Sequence, residues 1–76
     1  MGQDIEESLQ EVFKQIRQEY GETISGVAWG TGLARSHVSQ IENKHRMPTL
    51  KTCIKFANYM DIDLAALFTR VEKNLD

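Results

Sequence analysis

Residues 33 to 48 run Leu33-Ala34-Arg35-Ser36-His37-Val38-Ser39-Gln40-Ile41-Glu42-Asn43-Lys44-His45-Arg46-Met47-Pro48. At about 100° of rotation per residue, a helix here puts Val38 and Ile41 on one side with Ala34, while Arg35, Ser36, Ser39, Gln40 and Asn43 share the opposite arc. That arc holds no acid. Its side chains suit base edges: Arg pairs bidentately with guanine, Gln and Asn pair with adenine, and Ser bonds to bases or phosphates. Taken alone, the same residues also read as a polar face that only meets water, because every amphipathic surface helix has one.

The chain of 76 residues makes one domain, 1–76, with room for a modest core and none for a separate sensing or catalytic domain. With 41% hydrophobic and 26% charged residues its composition is that of a soluble globular protein. No apolar run approaches the roughly 20 residues of a membrane span, and the N-terminus is acidic where a signal peptide is basic, so a cytoplasmic location is expected. Gly2 does not start a myristoylation motif, because Glu6 stands where that motif needs Ser or Thr.

The single cysteine, Cys53, excludes an internal disulfide and reads as a small buried hydrophobe. Cys53, His37 and His45 lack paired ligand spacing, so no metal and no other cofactor is expected. Catalytic triads and phosphate-cradling glycine motifs are missing from the sequence, which makes an enzyme the weakest reading.

A net charge of −2 looks wrong for a nucleic-acid binder until its distribution is considered. Residues 1–22 carry a balance of −4, residues 23–60 a balance of +4, and residues 61–76 a balance of −2. The basic middle comes from Arg35, Lys44, Arg46, Lys51 and Lys55 against Glu42 alone. Counterion release depends on the local cluster that faces phosphate, so duplex DNA remains a fitting partner, with salt-sensitive binding.

Outside the opening stretch, helical spacing continues. Leu9, Val12, Phe13, Ile16 and Tyr20 mark helix 1 over about 4–20, with Gly21 as its left-handed stop. Thr23 is the expected N-cap of helix 2, which runs to about Thr31 despite Gly26 and Gly30, and Gly32 turns the chain before Leu33 enters the core. Helix 3 spans roughly 34–43. Thr49 caps helix 4, with Leu50, Cys53, Ile54, Ala57 and Met60 as its apolar set; Asp63 caps helix 5, whose stripe is Leu64, Leu67, Phe68 and Val71. The fold expected is all-α, a compact five-helix bundle with helices 2 and 3 as a helix-turn-helix.

From about Leu9 to Phe68 the chain resembles the Xre/Cro (lambda-repressor-like) helix-turn-helix DNA-binding family, and its length is similar to that of stand-alone restriction-modification controller proteins and small phage repressors. The matching pieces are Ile16-Arg17, Val27-Ala28, Gly32-Leu33, the run from Ser36 to Asn43, Pro48-Thr49-Leu50 and the run from Asp63 to Phe68. The resemblance implies base contacts by Arg35, Ser36 and Gln40, with His37 and Asn43 at the margin, and a structural ion pair between Arg17 and Glu42. It also implies a transcription regulator that binds duplex DNA as a homodimer, with half-sites about 34 Å apart. Helix 5 and the tail to Asp76 are the expected dimer surface, through Leu67, Phe68, Val71 and Leu75.

Three positions depart from the family pattern. Ile24 replaces a phosphate-gripping Gln, leaving Thr23 and the first backbone N–H groups of helix 2 to hold the strand. Lys44 replaces a Gly, so either a lysine takes positive φ or the helix ends differently; Lys44 and Arg46 are the expected phosphate contacts. Trp29 stands where helix 2 usually shows a charge, and is expected to pack partly on its own domain rather than touch a partner or the DNA backbone. The rival from another class is a protein-interaction module of the same fold, antitoxin-like or partner-binding. The net acidity and the missing Gln favour it; the basic middle and the Arg35/Gln40 face oppose it.

Overall fold

Side-chain caps and left-handed stops set most of the helix boundaries. The computed structural model describes residues 4–75 and contains α1 (Ile5–Glu19), α2 (Ile24–Thr31), α3 (Arg35–Glu42), α4 (Leu50–Met60) and α5 (Leu64–Lys73). Among the described residues there is no strand. Gly2 and Asp76, discussed above, lie outside them. Asp4, Thr23 and Thr49 each accept a hydrogen bond from the N–H three residues on, at 2.8, 2.9 and 3.1 Å. Such caps contribute about 1 kcal/mol apiece. Asp63 holds the N-cap position of α5 with extended backbone, but its side chain accepts no capping bond, so the expected cap is positional only.

At the other end of α1, Gly21 takes φ 70° while its N–H donates to the Gln18 carbonyl and the Glu22 N–H donates to the Arg17 carbonyl. This is the paired-bond stop that glycine permits. Gly32, at φ 74°, ends α2 and leaves only residues 32–34 before α3. That short turn makes α2 and α3 the helix-turn-helix.

All five helices contribute to one core, with α1 packed on α3 and α5, and α4 packed on α2 and α5. Phe13 and Phe56 stack at its centre, ring centroids 4.2 Å apart and planes 14° apart. The buried side of α4 is Thr52, Cys53, Phe56, Ala57 and Met60, whereas Leu50 and Ile54 are 61% and 41% exposed. The expected apolar set of α4 is therefore corrected: two helical stripes overlap in this sequence, and Phe56, the larger anchor, turns its own stripe inward. Tyr20, placed on the α1 stripe by spacing, sits beyond the last helical residue and is exposed. Cys53 is buried, and burial pushes its thiol above the ordinary range.

The glycines of α2 have a packing cause. A Cβ on Gly30 would lie 2.1 Å from Cδ1 of the Tyr59 ring, and one on Gly26 would lie 2.7 Å from the Glu22 carboxylate. The Tyr59 hydroxyl donates to that carboxylate at 2.9 Å, so the phenol lies along the glycine face of α2. Filling an occupied contact generally costs about 1–3 kcal/mol, against roughly 1 kcal/mol gained when alanine replaces glycine in a helix. Gly30→Ala is expected to lower the melting temperature by about a few degrees, read by thermal circular dichroism. A higher melting temperature would show that the ring yields freely.

No described helix is long and apolar enough to cross a membrane. No group of three or more His, Cys, Asp or Glu among the described residues is arranged to hold a metal ion.

Candidate nucleic-acid interface

The third helix is fixed to the bundle by one edge and by its C-terminal end. Val38 and Ile41 are buried in the core. Glu42, the only acid of the helix, turns inward: its Oε2 accepts from Arg17 Nε at 2.7 Å and its Oε1 from Arg17 Nη2 at 3.0 Å. Arg17 Nη1 donates to the Glu22 carbonyl at 2.9 Å, so one guanidinium joins α1, α3 and the turn that leads into α2. The Glu42 side chain is 5% exposed and that of Arg17 is 13% exposed; the hydrogen bond to Glu42 holds the Arg17 pKa above its ordinary value. The pair expected from the family resemblance is present, in bidentate form.

Lys44 adopts φ 65°. Its N–H donates to the Ile41 carbonyl at 3.1 Å and the His45 N–H donates to the Gln40 carbonyl at 2.8 Å. Of the two alternatives for this turn, the structure has the lysine in the left-handed region that glycine normally fills, at a cost of about 1 kcal/mol. The loop beyond is tied to α1 by Gln10, whose Nε2 donates to the Arg46 carbonyl at 2.9 Å. Gln10 carries no signal in the sequence, because its partner is a backbone carbonyl distant along the chain.

What these anchors leave outward is polar and basic. Arg35, Ser36, Gln40 and Asn43 are exposed, and His37 and Ser39 are half-buried. Ala34, expected on the buried side, is instead the exposed N-cap and has no side-chain capping bond. The Asn43 amide donates to Ser39 Oγ at 3.2 Å, linking two of the arc residues. Burial, and then the positive charge of Arg46, hold the His37 imidazole below its ordinary pKa, which favours the neutral ring with one donor and one acceptor. Lys44, His45 and Arg46 are exposed in the following loop. Thr23 is exposed at the start of α2.

Two expectations on surface residues are corrected. Trp29 is 84% exposed and does not pack on its own domain. Leu67 and Val71 are 0% and 1% exposed within the single chain, where they close the core under α5, so neither has surface left for a second copy. Phe68 and Leu75 are half-buried.

The helix-turn-helix family model matches residues 13–67. A comparison with curated proteins finds no match. Among solved structures, the wild-type restriction-modification controller protein C.Esp1396I is 25% identical, covers 95% of this chain and 94% of its own, and superposes with a TM-score of 0.87. Controller protein C.AhdI from Aeromonas hydrophila is 27% identical over 79% of this chain and 91% of its own, with a TM-score of 0.74. SinR, a master regulator for biofilm formation solved in complex with DNA, is 28% identical over 78% of this chain and 95% of its own, with a TM-score of 0.71. The family match and the arrangement of α2 and α3 agree: this chain belongs to the Xre, lambda-repressor-like helix-turn-helix family of DNA-binding transcription regulators.

Proposed function

We propose that this protein regulates transcription by binding a specific duplex sequence as a homodimer, with α3 of each copy in the major groove of one half-site. The observation that carries the reading is the acid-free outward arc of α3, with Arg35, Ser36 and Gln40 exposed while Glu42 is turned into the core. In this docking mode the N-terminal part of the second helix of the motif reads base edges. Arg35 and Ser36 sit in that first turn; Gln40 and Asn43 follow along the same arc. Lys44 and Arg46 contact phosphate from the loop, and Thr23 holds the backbone from the start of α2. Repression or activation then depends on where the operator lies.

One copy offers few base contacts, and a two-fold pair doubles both phosphate contacts and discrimination. With Leu67 and Val71 inside the core, the C-terminal part of the chain offers a second copy Leu50 and Ile54 on α4, Phe68 on α5 and Leu75 just beyond it. Sedimentation equilibrium checks this: Leu50→Glu is expected to shift the wild-type dimer toward monomer.

The rival reading, a partner-binding module, is supported by the exposed Trp29. Titration of the purified protein against a mixed pool of duplexes at low and moderate salt separates the two. A salt-dependent shift that Arg35→Ala weakens supports DNA binding; no shift at either salt rejects it.

Lys44→Gly tests the loop. Relief of the positive-φ strain is expected to stabilise the fold by about 1 kcal/mol. Loss of the ammonium is expected to weaken every duplex alike. A variant that melts higher and binds as well as the wild type would remove Lys44 from the interface.

A further inference from the structure

An acid of α1 stands against one of the cations proposed to meet phosphate. Glu11 lies on α1, outside the helix-turn-helix, and its Oε2 is 3.6 Å from Lys44 Nζ. Its other oxygen accepts from Gln15 Nε2 at 3.3 Å, which fixes the carboxylate toward the loop. The bond from Gln10 to the Arg46 carbonyl holds that loop in register with α1. Both partners of the pair are about two-fifths exposed, at 41% and 37%, so the pair contributes little to folding. Lys44 nevertheless occupies a backbone position that glycine would fill without strain.

We infer that Glu11 is an internal competitor for phosphate: it neutralises Lys44 in the free protein, must be displaced when the loop meets DNA, and so sets affinity and salt dependence without touching the duplex. This rests on the DNA-binding reading. Arrival of a phosphate at Lys44 releases a counterion from the DNA, while the uncovered Glu11 carboxylate takes a cation back from solution. The net release is smaller than the number of phosphate contacts implies, and the salt dependence is correspondingly shallow. The device lowers affinity for all sequences together, because it acts on a phosphate contact rather than on base readout.

The test uses the full chain and a duplex chosen from a bound pool, with fluorescence anisotropy across a salt series. Glu11→Gln is expected to bind about two- to fivefold more tightly at low salt, with a slope of log K against log salt steeper by at most about one. Glu7→Gln removes a nearby exposed acid that has no ion pair with Lys44 and reads the through-space effect alone. Lys44→Met keeps the backbone demand and removes the charge; in that background the gain from Glu11→Gln is expected to vanish. An equal gain from Glu7→Gln, a gain that persists with Lys44→Met, or an unchanged slope in folded Glu11→Gln would each overturn the inference. If Arg35→Ala weakens binding while Glu11→Gln changes nothing, the competitor fails and the DNA reading stands. If the wild type binds no duplex, both fail.

Discussion

Arg17→Ala is expected to destabilise the fold by about 3–5 kcal/mol, the usual cost of removing one partner from a buried ion pair. The guanidinium satisfies both oxygens of a carboxylate that is 5% exposed, and also the Glu22 carbonyl. Without it, Glu42 keeps a buried charge with no counter-ion, and the turn between α1 and α2 loses its bond from the guanidinium. A domain of this size has a total stability on the order of 4–11 kcal/mol, so the variant stands near the threshold of folding. Thermal and urea unfolding check the size of the loss. The double replacement Arg17→Met with Glu42→Leu is expected to recover most of it, because an apolar pair of similar volume needs no hydrogen bonds. Unchanged melting of Arg17→Ala together with weaker DNA binding would move Arg17 from the scaffold to the interface.

Arg35→Ala is expected to have the opposite profile, leaving stability within about 0.5 kcal/mol because the side chain is exposed, while greatly weakening binding to the preferred operator. A bidentate contact to a base is worth about 1–3 kcal/mol, and a two-fold dimer loses it twice. The expected loss is therefore about 2–6 kcal/mol, roughly 30-fold to more than 10⁴-fold in affinity. Gln40→Ala is expected to relax base preference at one position of each half-site, at about 1–3 kcal/mol per contact. Binding curves against the preferred site and single-base variants of it give both values. Uniform weakening across those variants would assign the residue to phosphate instead.

Much of the scaffold is legible in the sequence because its signals are local. Thr23 and Thr49 announce helix starts through a side-chain oxygen that needs no distant partner, and Gly21 and Gly32 announce stops through a φ that glycine adopts freely. The separation of α3 into a buried edge and a polar arc follows from rotation alone. The pairing of Arg17 with Glu42 was legible only through the family resemblance, since nothing local links residues 25 apart.

What was hidden depended on tertiary packing. In α4 the sequence supports two overlapping apolar stripes, and the size of Phe56 decides which one faces Phe13. Leu67 and Val71 have helical spacing that suits either a core or a subunit interface, and only the placement of α5 against α1 assigns them to the core. Gly26 and Gly30 look like defects of α2 until Tyr59, far along the chain, is seen lying against them. The pairing of Glu11 with Lys44 needed the left-handed turn after α3, which brings the lysine back toward α1.

Selection of bound duplexes from a random library, followed by sequencing, tests the central claim most directly. The account predicts an enriched inverted repeat with half-site centres about one helical turn, roughly 34 Å, or a multiple of it apart. It also predicts that Gln40→Ala selects sites with one relaxed position in each half. A library recovered without enrichment, or enriched for the same sequence regardless of changes at Arg35 and Gln40, would contradict readout through α3.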